Sequence, residues 1–124
     1  MTPNTLTGHI IDAAYKVHTT LGPGLFESVY ESALSHELTK REIPHLRQHP
    51  IPVIYDGILL QPAFHADLFV AGEVIVELKS VETIASLHKR QLLTYLRLSG
   101  KHLGLLINFN VPLIKDGITR IING

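Results

Sequence analysis

The segment AFHADLFVAGEVIVELKS, residues 63–80, is almost wholly apolar, and the fold prediction starts from it. Its composition predicts two core strands, 64–70 and 74–79, joined by a tight turn. Three side chains with a formal charge at pH 7 interrupt these strands: Asp67, Glu77 and Lys79. Because a buried charge is costly unless it is paired or binds an ion, these side chains indicate a site.

Hairpin geometry places the two acids on one face. Directly opposed residues of an antiparallel pair point to the same side, so we consider the register that sets Asp67 opposite Glu77. That register pairs Val70 with Val74 and leaves a three-residue loop, a common hairpin connection. Lys79 lies two residues beyond Glu77 and shares its face, because side chains alternate along a strand.

The composition is that of one globular domain spanning residues 1–124. The chain has 45% hydrophobic and 18% charged residues, which is not a disordered composition. It contains no cysteine, which excludes disulfides, thiolate metal sites and a cysteine nucleophile. We expect neither a membrane-spanning segment nor a signal peptide, since no apolar run approaches about 20 residues and MTPNTLTGHI lacks a basic start. A soluble, cytoplasmic protein is the resulting expectation.

The charge is balanced overall but unevenly distributed. The formal net charge is zero, so the whole chain gives no electrostatic support for a nucleic-acid partner. The segment 79–102 is nevertheless basic, with five cationic side chains and one acid: Lys79, Lys89, Arg90, Arg97 and Lys101 against Glu82. A solvated basic helix would also explain this run.

Periodicity and turn signals predict the remaining elements. Before the two core strands they predict helix 6–21, helix 25–41, and strands 50–55 and 58–60. After the core strands they predict helix 82–99 and strand 103–109. Asn4 or Thr5 is the expected N-cap of the first helix. Residues 22–24 (Gly-Pro-Gly) separate the first two helices, and Asp56-Gly57 is a hairpin turn. Residues 111–124 are expected to form a loop with at most one short element. The α-α-β-β-β-β-α-β order predicts an α/β domain with helices flanking one mixed sheet.

The acid pair suits metal-assisted hydrolysis. Magnesium and manganese prefer oxygen ligands, so Asp67 and Glu77 could hold one such cation. The cation could activate water and offset charge on a phosphodiester, with Lys79 orienting that water or stabilising the transition state. The alternative is a structural ion pair between Lys79 and one of the acids.

Two further motifs bear on this choice. In GPGLFESVY, Gly24, Glu27 and Tyr30 stand at G-x-x-E-x-x-Y spacing, and in QLLTY, Gln91 and Tyr95 lie one helical turn apart. Together with the hairpin, the chain resembles the GxxExxY family of the PD-(D/E)XK nuclease superfamily. The resemblance extends from IIDAA through VELKSV to LGLLINFNVPLIKDGITRII.

The resemblance implies a restriction-endonuclease-like core and a set of site residues. Metal ligands would be Glu27, Asp67, Glu77 and the Leu78 backbone carbonyl. Lys79 would be the catalytic lysine. Gln91 and Tyr95 resemble the helix motif of the RecB-like and Cas4-like branch, which positions nucleic acid or the lysine. Glu27 is expected on the apolar stripe of the second helix, and Ala66 departs from the family pattern, in which proline precedes the aspartate.

The leading hypothesis is therefore a Mg²⁺- or Mn²⁺-dependent nuclease that acts on DNA rather than RNA and has no membrane partner. A homodimer is one expected assembly, because so small a chain would need help to grip a duplex. Lys89, Arg90 and Arg97 are candidate phosphate contacts, although each also fits a solvated helix face. His18 is a candidate for the metal site, with a capping or surface role preferred.

Two other classes stay open. One is a nucleic-acid-binding or assembly module that keeps the site without useful turnover, which the neutral net charge favours. The other is a structural protein in which the charged cluster is an ion-pair network. The last reading leaves Glu27 without an explanation.

Overall fold

The computed structural model describes residues 1–60 and 64–124. Three α-helices and five strands are present, together with a short 3₁₀ helix at Ile114–Gly117. The helices are α1 (Pro3–Leu21), α2 (Glu27–Lys40) and α3 (Ser86–Ser99). The strands are β1 (His45–Tyr55), β2 (Ile58–Val70), β3 (Val74–Lys79), β4 (Leu103–Asn108) and β5 (Ile118–Ile122).

The strands form one mixed sheet in the order β1-β2-β3-β4-β5. β3 and β4 are parallel, with α3 as the crossover between them, and the other neighbouring pairs are antiparallel. This arrangement confirms the predicted α/β class with a mixed sheet flanked by helices. β1 lies at an edge of the sheet, where Pro50 and Pro52 are tolerated because proline has no N–H to donate to a neighbouring strand.

The predicted strand count between α2 and α3 was wrong. Residues 58–60 and 64–70 belong to the single strand β2, so three strands lie there rather than four. β1 also begins at His45, earlier than expected, because its first residues pair with the end of β2. In the C-terminal segment, the expected short element is the edge strand β5, which pairs with β4.

Two hydrophobic cores lie on opposite faces of the sheet. The larger one packs α1 and α2 against the central strands, and in it Tyr30 stacks on Phe109 with ring centroids 4.3 Å apart. The smaller one packs Leu92 and Leu96 of α3 against the other face. Across residues 1–60 and 64–124, none of the helices combines the length and the apolarity that crossing a membrane would require.

Several helix ends differ from prediction by a few residues. The N-cap of α1 is Thr2, whose Oγ1 accepts the Thr5 amide, rather than Asn4 or Thr5. α2 begins at Glu27 instead of Leu25. α3 begins at Ser86, four residues later than expected. Propensity places a helix well but fixes its ends poorly, since the caps depend on local hydrogen bonds.

The central hairpin has the predicted register. β2 and β3 pair Leu68 with Val76 and Val70 with Val74. The three-residue turn between them has Ala71 at φ +53° and Gly72 at φ +67°. Side chains two residues apart share a face, so this register sends Asp67 and Glu77 to the same side.

Candidate active site

The candidate site lies where β2 and β3 part. The last regular pair of their ladder is Leu68 with Val76. Beyond it, the Leu78 backbone N–H donates to Asp67 Oδ2 at 2.8 Å. The acceptor is thus the Asp67 side chain rather than a backbone carbonyl of β2. The N–H and C=O of one residue in a strand point to the same side. The Leu78 carbonyl is therefore directed into the same gap as the Asp67 carboxylate.

Glu77 brings a second carboxyl group to this gap. Its Oε1 atom is buried and has no hydrogen-bond partner among the residues that the structure describes. The pKa of Glu77 is raised to about 9, first by burial and then by the neighbouring Asp67 carboxylate, and Lys79 partly offsets this rise. Buried polar atoms are nearly always satisfied, so this orphaned oxygen next to a second acid is a position that a cation would fill.

The donor set fits a hard divalent cation. Two carboxylates and a backbone carbonyl are oxygen ligands of the kind that Mg²⁺ and Mn²⁺ prefer. A bound cation would also remove the mutual repulsion that raises the pKa of Glu77. Of the four metal ligands that the resemblance implies, Asp67, Glu77 and the Leu78 carbonyl are therefore compatible with one such cation.

Lys79 is half-buried on β3 and lies close enough to Glu77 to affect its pKa. Within the described ranges, however, no carboxylate oxygen lies within 4.0 Å of its ammonium group; the ion pairs found there are elsewhere. The geometry thus argues against a closed structural ion pair between Lys79 and one of the acids.

The G-x-x-E-x-x-Y motif forms a clamp at the start of α2. The buried Tyr30 hydroxyl donates to the Gly22 carbonyl at 2.6 Å and accepts the Leu25 amide at 3.1 Å. These two bonds fix the turn between α1 and α2, in which Gly22 and Gly24 have φ of +71° and +96°. Tyr30 is a core residue, and its hydroxyl holds this turn.

The start of α2 and the turn before it contact Ser80, the residue that follows Lys79. The Ser80 hydroxyl donates to the Leu25 carbonyl at 2.6 Å, and the Ser80 amide donates to Glu27 Oε1 at 3.2 Å. Glu27 is exposed, so its expected place on an apolar stripe was wrong. The reason is that α2 begins at Glu27, where an acid is favoured by the helix dipole.

The acids do not form a single three-membered cluster. Over residues 1–60 and 64–124, no group of three or more histidine, aspartate and glutamate side chains is placed to hold a metal ion. The structure thus brings Asp67 and Glu77 together, whereas Glu27 is held at the backbone of Ser80.

Helix α3 supplies a tyrosine beside the acid pair. The Tyr95 ring stacks on Phe64, with centroids 3.9 Å apart and planes inclined by 22°. Burial raises the pKa of Tyr95, and so do the carboxylates of Glu77 and Asp67. Gln91, one turn earlier, is exposed. The three predicted phosphate-contacting residues of α3 are exposed too: Lys89, Arg90 and Arg97.

A group of polar residues that the sequence did not single out adjoins Asp67. Gln48 of β1 donates through Nε2 to Asp67 Oδ1 at 3.2 Å and also to Glu31. Glu31 is buried on α2 and accepts from Arg47 Nε at 2.9 Å. The one available signal was the helical spacing, since Glu31 lies one turn after Glu27.

His18 is a buried residue rather than a surface one. It is buried near the end of α1, and its Nε2 lies 2.7 Å from the Val111 carbonyl oxygen. It therefore ties α1 to the segment that follows β4, so the preferred surface or capping role was wrong.

A family model described as the PD-(D/E)XK nuclease superfamily matches residues 4–121. Comparisons with curated protein sequences and with solved structures gave no significant match. The match covers every helix and nearly all of the sheet, including the gap between β2 and β3.

Proposed function

Because the chain belongs to the PD-(D/E)XK nuclease superfamily, we propose that it is a metal-dependent nuclease that hydrolyses phosphodiester bonds in DNA. Nucleases of this superfamily generally use divalent metal ions, and their substrate is nucleic acid. The observation that carries the proposal is the orphaned, buried Oε1 of Glu77 beside the Asp67 carboxylate. An arrangement of this kind is unfavourable in a structural protein and useful in a metal site.

In this proposal Asp67, Glu77 and the Leu78 carbonyl hold one Mg²⁺ or Mn²⁺ ion. A divalent cation there would supply Lewis-acid assistance to the attacking water and to the phosphate. The Leu78 amide bonds Oδ2 of Asp67 and the Gln48 side chain bonds Oδ1, and each oxygen keeps a lone pair for the cation. Glu77 must give up its proton to act as a ligand, since the protonated carboxyl binds metal poorly.

Lys79 is the proposed catalytic lysine. Its ammonium group lies on the same side as the acid pair and, among the described residues, is not closed off by an ion pair within 4.0 Å. It can therefore orient the attacking water or stabilise charge that develops on the phosphate. The Ser80 contacts to Leu25 and Glu27 hold the backbone immediately after it.

The other site residues have positioning roles in the proposal. Tyr95, held by its stack on Phe64, presents its hydroxyl near the acids and helps to position substrate. Gln91 extends this role along the exposed face of α3. Glu27 is an accessory acid beside the lysine segment, and the phosphate contacts come from exposed cations of α3: Lys89, Arg90 and Arg97.

The test is cleavage of linear and circular DNA by purified protein with Mg²⁺ or Mn²⁺. We expect cleavage that chelation abolishes and that Lys79→Ala reduces by about 100-fold or more, the usual cost of losing one transition-state group. Lys115→Ala, an exposed lysine of the 3₁₀ helix, is the matched control. Equal residual cleavage by the wild type and Lys79→Ala would refute the enzymatic role.

The same assay addresses the second candidate function. The absence of a three-acid cluster within the described residues favours a module that keeps the acid pair without useful turnover. Metal binding without cleavage of any nucleic acid would support that function. Parallel RNA substrates test the preference for DNA, and sedimentation with a short duplex tests the proposed homodimer.

A further inference from the structure

Gln48 occupies a strained backbone position in the middle of a strand. Its φ is +49°, in the left-handed region that glycine adopts easily and other residues rarely do. The β1–β2 register pairs Arg47 with Leu68 and His49 with Ala66, which sets Gln48 opposite Asp67. Strain of this kind persists where surrounding contacts impose it, and it is concentrated at functional sites.

The strained backbone directs one amide group between two acids. Gln48 Nε2 carries two hydrogens, and it lies within hydrogen-bond distance of both Glu31 and Asp67 Oδ1, the latter at 3.2 Å. The Leu78 amide donates to the other oxygen, Asp67 Oδ2, at 2.8 Å. Both oxygens of Asp67 are thus held, and each keeps a lone pair for a further partner.

The far end of this chain of contacts is anchored. Glu31 is buried, with 8% of its surface exposed, and Arg47 binds it through Nε and a terminal nitrogen, both at 2.9 Å. Since Arg47 already neutralises Glu31, that acid does not need Gln48 for charge balance. The second bond of the amide therefore links Asp67 to the Arg47–Glu31 ion pair.

We propose that Gln48 is a positioning residue that fixes the orientation in which Asp67 presents its carboxylate to the divalent cation. The inference rests on the metal site of the proposed function. Hydrogen-bond partners of a metal-binding carboxylate typically change metal affinity or activity by about 10–100-fold when they are removed. Glycine adopts this φ without strain, whereas glutamine adds the amide group that bonds both Glu31 and Asp67.

The test uses Gln48→Ala and Gln48→Gly, with Asp56→Gly as the matched control. Asp56 also has a left-handed φ, of +52°, but it lies at the far tip of the β1–β2 hairpin. Calorimetric titration with Mn²⁺ alone should show the dissociation constant raised about 10–100-fold in both Gln48 variants and unchanged in the control. Melting in a chelator should show Gln48→Gly no less stable than the wild type, because the strain is relieved.

A kinetic readout separates positioning from a general loss of structure. We expect the Gln48 variants to lower kcat with little change in KM for DNA, and to recover activity as Mn²⁺ is raised. A folded variant with wild-type Mn²⁺ affinity would overturn the inference, and so would a wild type that binds no Mn²⁺, or variants that unfold in the chelator. If the wild type binds Mn²⁺ but cleaves nothing, the nuclease proposal fails while the affinities still decide the role of Gln48.

Discussion

Replacing Glu77 by glutamine should change how the stability of the metal-free protein depends on pH. The pKa of Glu77 is about 9 in the folded chain, against an ordinary value of 4.5. Between these values the folded chain keeps a proton that the unfolded chain has released. The contribution of protonated Glu77 to the free energy of unfolding is therefore complete below pH 4.5 and is lost as the pH rises towards 9. Each pH unit in that window costs the wild type about 1.4 kcal/mol.

The magnitude is large enough to measure. From pH 5 to pH 8, the free energy of unfolding of the wild type should fall by about 4 kcal/mol relative to Glu77→Gln, which has no proton to lose there. Urea unfolding in a chelator at several pH values gives this difference directly, because titrations common to both proteins cancel. Excess Mn²⁺ should restore stability to the wild type, and not to the variant, at the upper end of the range.

Glu37→Gln is the matched control for this experiment. Hydrogen bonds from Lys40 and Lys16 hold the pKa of Glu37 below its usual range, so its contribution is lost only as pH falls. Its difference from the wild type should therefore stay constant between pH 6 and pH 8. Parallel pH profiles for the wild type and Glu77→Gln would refute the burial of an unpaired carboxyl group at this position.

Two further substitutions test the elements that hold the site. Tyr30→Phe should lower the free energy of unfolding by about 1–2 kcal/mol, because two backbone groups of the α1–α2 turn lose a buried partner. The control Tyr55→Phe replaces an exposed tyrosine and should have no effect in the same thermal or urea unfolding. Equal effects of the two substitutions would contradict the role of the Tyr30 hydroxyl in holding the turn. Leu96→Ala should lower the free energy of unfolding by about 3 kcal/mol, because it opens a cavity between α3 and the sheet. Leu98 is 44% exposed, so Leu98→Ala should lower it by less than about 0.5 kcal/mol.

Much of the fold follows from local signals in the sequence. The 67–77 hairpin was predictable to the residue, because strand alternation and a three-residue loop together allow one register that buries the apolar side chains. The merging of two predicted strands into β2 was not predictable, since the separating residues, Gln61 and Pro62, normally favour a break. Residues 58–60 and residues 64–70 both pair with β1, so cross-strand pairing outweighs the local signals.

For the candidate site too, the residues placed by local geometry could be predicted and those placed by contacts with other elements could not. Asp67, Glu77 and Lys79 could be placed on one side because they share a hairpin, whose geometry is local. The place of Glu27 could not be predicted, because it depends on the Ser80 backbone, 53 residues later. Gln48 was missed because its role depends on a left-handed backbone angle, which leaves no pattern in the sequence, and on a contact with Glu31 in another element.

The most direct test of the central claim is the anomalous diffraction of a crystal soaked in Mn²⁺. We predict one strong peak in the gap between β2 and β3, within coordination distance of Asp67, the Oε1 atom of Glu77 and the Leu78 carbonyl. Its loss in Glu77→Gln would complete the assignment. A soaked crystal with no peak in this gap, or with manganese bound only elsewhere, would contradict the account.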